Sequence, residues 1–314
     1  MSSPSPSTGQ LAVLYEHPQW FQPLFAALER HGMAYVPIQL NAHCFDPARR
    51  EVPAPLILSR VAQSSFLREP EHPIFYAEAL LDHWQRCGAE VLNGADVLAI
   101  DSSKARQLSL ITGLGYSVPR TKVVHRTRDL LDAVDDMAFP LLVKANIGGS
   151  GAGIVRYASK EELHSSIEDR MIPQSVDQVL LVQDYVPPSG GTILRLETLG
   201  GRFLYAIEIE SRGDSFDLCP ADACLAQPGR KAVRMNAVQP SVPMIEAAER
   251  IARAAGLDVG GIEVVVDERD GTPRFYDINA MSNFVADPLS VLGWDPHDRL
   301  IEFLEMKLKG KKAA

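Results

Sequence analysis

The chain has 314 residues, 46% hydrophobic and 23% charged, a balance that fits a folded protein too long for one compact core and points to two or three domains. Its 31 basic residues against 40 acidic ones give a formal net charge of -9, which opposes nonspecific attachment to nucleic acid or to an anionic membrane surface. Cys44, Cys87, Cys219 and Cys224 lack C-x-x-C spacing and read as reduced thiols, with Cys219 and Cys224 the one pair spaced to bridge or hold a metal. No apolar run approaches the ~20 residues of a membrane span, and "MSSPSPSTGQ" is no signal peptide, so the expected location is the cytoplasm, with residues 1–10 a disordered tail.

From Leu11 the chain alternates β-like runs with amphipathic helices, the pattern of an open α/β layer. "LAVLY" reads as a strand, and Phe21, Leu24, Phe25 and Leu28 then recur at helical spacing until Gly32 stops the helix. "AYVPI", "PLILS" and "AEVLN" are further strands, and "FYAEALLDHWQRCGA" carries Leu80, Leu81, Trp84 and Cys87 on one stripe. The result is a Rossmann-like unit over 11–103 that lacks the G-x-G-x-x-G turn.

A second unit is expected over 104–182: a helix in "SKARQLSLITGLG", a strand in "TKVVH", a helix from Thr127 to Met137, and a helix opened by a Ser159–Glu162 capping box. Between the last two lies "FPLLVKANIGGSGAGIVRYA", with four glycines in six residues flanked by strands. Residues 183–314 turn strand-rich, with "ILRLET", "RFLYAIEI", "IEVVVD" and "PRFYDI" implying two hairpins. One helix spans Ser241 to Gly256, and another opens at Asp295-Pro296.

Glycines let backbone N–H groups converge on a ligand, which is how chains hold phosphate oxygens. The P-loop spacing fails because no lysine follows the glycines, and G-x-G-x-x-G fails because Ile154 stands where the third glycine belongs. Here the lysine, Lys144, comes first, and the stretch reads as a hairpin flap. A glycine-rich hairpin without a ligand would look the same in isolation.

"FPLLVKANIGGSGAGI" resembles the phosphate flap of the ATP-grasp superfamily, nearest its ribosomal-protein glutamate ligase and glutathione synthetase-like branch. In order along the chain, "DSSKARQLSLITGLGYSVPRT" is similar to the entry helix of that family, "VLLVQDYV" to its adenine hinge and "FYDIN" to its E-[VI]-N metal strand. The resemblance runs from Leu11 to about Leu308. It implies an ATP-grasp fold, α/β with an α+β C-terminal part, in which Lys104, Lys144 and the flap residues Gly148, Gly149, Ser150, Gly151 and Gly153 meet the nucleotide phosphates. Gln183, Asp184, Tyr185 and Val186 would line the adenine slot, and Arg195, with Lys144, would act at the transferred phosphate.

Register arithmetic gives the metal site independently. If Arg269-Asp270-Gly271 is a three-residue loop, Glu268 pairs with Thr272 and Glu263 falls opposite Asp277, with Asn279 projecting from the same face. Two facing carboxylates repel unless a cation lies between them, and these oxygen donors suit Mg²⁺ (or Mn²⁺). The family more often has aspartate at 263 and glutamate at 277, and it continues after Asn279 with small residues and Pro-Gly where this chain reads "AMSNFVADP". That departure touches the acceptor pocket.

The resemblance implies an ATP-dependent ligase that joins a carboxylate to an amine through an acyl phosphate. Small-molecule or peptide substrates are expected, with no nucleic acid or membrane partner, and a homodimer or homotetramer as the assembly. Arg60, ending a strand where α/β sheets bind ligands, and Asn283 are the candidate substrate contacts; the position of Arg60 suits a surface arginine equally well. The alternatives are an ATP-grasp phosphotransferase acting on a hydroxyl and a noncatalytic nucleotide-binding regulator.

Overall fold

The computed structural model describes residues 10–68, 71–149, 151–210 and 234–312. Residues 1–9 of the expected tail, Ser150, Cys219 and Cys224 lie outside them. Cys44 is an exposed free thiol and Cys87 a half-buried one.

The apolar runs at the start of the chain form β1 (Leu11–Tyr15), β2 (Val36–Gln39), β3 (Leu56–Arg60) and β4 (Glu90–Leu92), a parallel sheet in the order β2-β1-β3-β4. Parallel strands bury both faces and therefore need helices on both sides. These are α1 (Gln22–Arg30), which buries Leu24, Ala27 and Leu28, α2 (Ile74–Arg86), which buries Leu80, Leu81 and Trp84, and α3 (Ala95–Asp101).

After α4 (Lys104–Gly113) comes an antiparallel sheet of β5 (Thr121–Val124), β6 (Leu141–Ala145), β7 (Ile154–Tyr157) and β8 (Leu180–Asp184), in the order β5-β8-β6-β7. The helix expected from Thr127 to Met137 is shorter: a 3₁₀ turn at Thr127–Asp129 runs into a single α turn, α5 (Leu130–Ala133). Leu130, Val134 and Met137 are all buried, so the break after Ala133 keeps them on the core while Asp135 and Asp136 turn out to Lys160, Arg120 and Lys122. The capping box opens α6 (Lys160–Glu168): Ser159 Oγ accepts from Glu162 N at 3.2 Å, while the Glu162 carboxylate reaches Ala158 N at 2.6 Å.

The third sheet is antiparallel, from β9 (Thr192–Leu199), β10 (Arg202–Glu210), β11 (Met235–Val238), β12 (Val259–Val266) and β13 (Pro273–Asn279), in the order β11-β10-β9-β12-β13. Sequence reading missed β11, a half-exposed edge strand. Helix α7 (Val242–Ala254) covers one face through Met244, Ala247, Ala248 and Ile251; α8 (Pro288–Val291) and α9 (Pro296–Lys312) follow β13.

The cores decide how these layers meet. One cluster joins Leu11, Leu24 and Leu58 of the first sheet and its helix to Tyr205, Ile207, Phe284 and Leu300, so the first and third sheets share a core. The second sheet has its own, built on Leu130, Val143, Tyr157, Leu163 and Val182.

Candidate active site

β6 and β7 form the expected hairpin, with Lys144 opposite Ile154 and Ala145 N donating to Gly153 O at 2.8 Å. Gly149 lies against the first unit: a Cβ there would stand 2.7 Å from Ser64 Cβ, so only glycine permits this approach. Asn146 ties the flap to α4. Its Oδ1 accepts from Ala105 N at 2.9 Å while its Nδ2 donates to Asp177 at 2.6 Å, and its carbonyl accepts from Lys104 N, bringing the two lysines to one place.

One cleft is lined by Lys104, Lys144, Gly148, Gly149 and Gly151, by Gln183 to Val186, and by Arg195, Glu263, Asp277, Asn279 and Asn283. Gly153 sits at the hairpin base, and Arg60 is buried beside the cleft. Apolar Leu142, Ile154, Ile193, Val265 and Ile278 make a slot suited to a flat base. At its edge Gln183 Nε2 is spent on Thr121 Oγ1 (2.8 Å), whereas Asp184 Oδ1 is a buried acceptor with no partner among the described residues, and burial pushes its carboxyl up.

The acidic pair forms, by a route different from the expected one. Val266 pairs with Pro273 and Asp267 N donates to Thr272 O, so Glu268 does not face Thr272; a bulge at Tyr276 then restores the register and sets Glu263 opposite Asp277. The turn tightens because Asp267, fully buried, accepts from the Arg269 backbone and from the Arg269 and Arg274 side chains. The bulge sets Tyr276 toward the cleft, where its hydroxyl helps to lower the Glu263 carboxyl and its ring lies 5.6 Å from Lys144 Nζ. Asn279 Nδ2 is 3.4 Å from Glu263 Oε1.

Burial and the charge of Asp277 raise the Glu263 carboxyl, against the pull of Arg195 and Lys104. Arg195 Nη1 donates to Glu263 at 3.2 Å and its Nε to Glu197 at 2.6 Å; burial opposes its charge, but the two carboxylates keep it firmly protonated. Burial also opposes Lys104, yet Asp277 at 2.7 Å, with Glu263 and Asp101, leaves it above its ordinary value. No carboxylate among the described residues hydrogen-bonds Lys144, and burial, with the charge of Lys104, pushes it down to about 8 against the weaker pull of Asp277 and Glu263.

Arg60 is 2% exposed, which rules out a surface role; burial pushes its guanidinium down to about 10 despite Glu197. Sequence reading missed Glu197 and Asp101. Asp101, on α3, accepts from Gln63 Nε2 (2.8 Å) and Ala280 N (2.9 Å), and burial pushes its carboxyl up to about 6. Its position three residues before Lys104 was the available signal; Glu197, two after Arg195 and so on the same strand face, had an equally plain one.

The family pattern described as the RimK-like ATP-grasp domain matches residues 101–286. The probable alpha-L-glutamate ligase of Aeromonas salmonicida is 25% identical over 243 residues, 76% of this chain and 75% of the relative. The ribosomal protein bS6–L-glutamate ligase of Escherichia fergusonii is 26% identical over 213 residues, 66% and 64% of the two chains. Among solved structures, the ATP-grasp ligase PsnB complexed with a phosphomimetic variant of minimal precursor, Mg and ADP superposes with a TM-score of 0.69 over 96% of this chain and 100% of that one, at 14% identity.

Proposed function

Since the chain belongs to the RimK-like ATP-grasp family, whose ligases form carbon–nitrogen bonds with ATP, we propose how its own residues divide that work. The enzyme is an ATP-dependent ligase that makes an amide or peptide bond. A carboxylate oxygen of one substrate attacks the γ-phosphorus, giving an acyl phosphate and ADP. The amine of the other substrate then attacks the carbonyl carbon and phosphate leaves. Neither step needs a nucleophile from the protein.

Lys104 and Lys144 bring two cations to the phosphates, and Arg195, held by carboxylates on both sides, offers its remaining N–H groups to the phosphoryl group in transfer. The flap residues 148–153 cover the phosphates and exclude the water that would hydrolyse the acyl phosphate. Asp184 Oδ1 is a ready acceptor for the amino group of adenine. Two carboxylates and an amide oxygen on one face suit a hard cation: Glu263, Asp277 and Asn279 would hold Mg²⁺, or Mn²⁺, which would neutralise phosphate charge. Arg60 and Asn283 are the substrate contacts. The reading carries a cytoplasmic location, since ATP is made and held there.

The observation that carries this reading is that Lys144, Arg195, Glu263 and Asp277, from four strands of two sheets, line one cleft. An ADP-release screen over amino acids and dipeptides with Mg²⁺, followed by mass spectrometry, tests it. Amide product is expected; ADP with a stable phosphoester and no amide would overturn it in favour of phosphotransfer.

A further inference from the structure

Where β3, β9 and the segment after β13 converge, buried polar atoms without hydrogen-bond partners gather. The Arg60 guanidinium finds no acceptor for its Nε or Nη1 among the described residues. The charge that balances it is Glu197, 1% exposed, yet no hydrogen bond joins the two. Glu197 Oε1 accepts from Arg195 Nε (2.6 Å) and Ser282 Oγ (2.9 Å), whereas its Oε2 has no hydrogen-bond partner among the described residues. Asn283 Nδ2, Gln63 Oε1 and Ser65 Oγ are unsatisfied as well. Gly261, opposite Glu197 on β12, leaves room for the Arg195–Glu197 pair: a Cβ there would lie 2.6 Å from Arg195 Nε and 2.8 Å from Glu197 Oε1.

Buried polar groups are almost always paired, and a buried guanidinium or carboxylate with an open position is costly unless a ligand fills it. The open donors are on Arg60 and Asn283, and the open acceptors are on Glu197 and Gln63. A molecule carrying a carboxylate and an amine side by side satisfies both sets. The amine end is the end next to Glu197, and therefore next to Arg195 and the phosphoryl group in transfer.

We propose that the amine substrate is seated here by its own carboxylate on Arg60 and Asn283, and that Glu197 Oε2 accepts an N–H of the attacking ammonium and takes its proton. This rests on the ligase reading above. The ammonium gives one proton to the Glu197 carboxylate, and the freed lone pair attacks the acyl-phosphate carbonyl carbon. The C–N bond forms, the C–O bond to phosphate breaks, and the second proton leaves on phosphate as HPO₄²⁻, leaving a neutral amide. Glu197 then returns its proton to solvent. The charged and titratable groups facing Glu197 are Arg195 from its own strand, Arg60 from β3 and Tyr205 from β10.

Hydroxylamine, uncharged at neutral pH, needs no base and separates the roles. With ATP and Mg²⁺, each of the twenty L-amino acids is offered as carboxylate donor to hydroxylamine, then to a second amino acid and to the matching amine without a carboxylate, such as ethylamine for L-alanine. Glu197→Gln should lower amide formation by about 10²-fold or more, a deficit that narrows as pH rises, while hydroxamate formation falls no more than about threefold. Arg60→Met, which buries no charge and so should fold, is expected to raise KM for the amino acid at least tenfold and leave the decarboxylated amine unaffected. Melting temperature and ADP affinity report that each variant is folded. Equal loss of hydroxamate and amide in Glu197→Gln would make Glu197 a mere support for Arg195. Equal or no effect of Arg60→Met on the two amines would mean that only water fills the gap, and either result overturns the proposal. Absence of hydroxamate from the unsubstituted enzyme would count against the ligase reading itself.

Discussion

Lys104 and Lys144 line one cleft, yet the charges around them should fail in different ways. Lys144 has a ring for a neighbour, so Lys144→Met should keep the melting temperature within about 2 °C while lowering turnover by about 10²–10³-fold, the usual cost of one lost transition-state donor. Asp277→Asn leaves Lys104 without its carboxylate and should cost about 1–3 kcal/mol of stability as well as turnover, measured by urea unfolding. Unchanged kinetics in either variant would contradict the assigned site. The titration of Lys144 adds a second check. In the free enzyme its pKa lies at about 8, and a bound phosphate can only raise it. ADP affinity should therefore fall as pH rises above 8, with a proton taken up on binding there. Calorimetry at pH 8.5 in two buffers of different ionisation enthalpy reads that uptake directly; none would mean that Lys144 does not meet phosphate.

The flap hairpin and the β12–β13 hairpin are the elements that bring the two charges together, and each hangs on a turn. Gly149→Ala places a methyl group against Ser64 Cβ, which cannot swing away like the tip of a long chain, so the flap must lift. Protease cleavage within 148–152 should speed up several-fold, and protection by ATP and Mg²⁺ should weaken; cleavage at the parent rate would show that the contact with Ser64 is dispensable. Asp267 holds the other turn. Hydrogen bonds from Arg269, then Arg274, hold its carboxyl well below the usual range. A depressed folded pKa means stability present above the ordinary carboxylate value of about 4 and lost as pH falls below it. Asp267→Asn should cost about 1–2 kcal/mol at pH 7, allowing for the half-exposed Arg269, and the gap from the parent should narrow steadily as pH falls from about 4 towards 2. A gap of equal size at both pH values would assign the effect to shape alone.

Across the whole molecule, the first and third sheets share a core and a polar rivet. Asn93, with φ 51, donates to Val259 O (2.6 Å) and Ala280 O (2.8 Å) and accepts from Asp258 N (2.9 Å) and Val259 N (3.3 Å). Asparagine tolerates that backbone conformation better than most residues. Asn93→Ala should cost about 2–4 kcal/mol by the sum of these buried bonds, lower the melting temperature, and disturb the substrate end of the cleft more than nucleotide affinity. A loss of ADP affinity as large as the loss of amine affinity would contradict that division.

What is local could be read from the chain alone. Periodicity and glycine placement yielded nearly every strand and helix, the flap, and the facing of Glu263 with Asp277, because side-chain alternation and short connections follow from neighbours in the chain. Even there the bulge at Tyr276 escaped, since the turn is set by Asp267 reaching Arg274 and not by loop length. It took the folded chain to show that Arg60 is buried with two guanidinium nitrogens lacking acceptors among the described residues, that Glu197 stands between it and Arg195, and that Asp101 bridges Gln63 to Ala280. Those contacts join residues 38 to 179 positions apart, or depend on which charges share a low-dielectric space, and no local pattern encodes such a meeting.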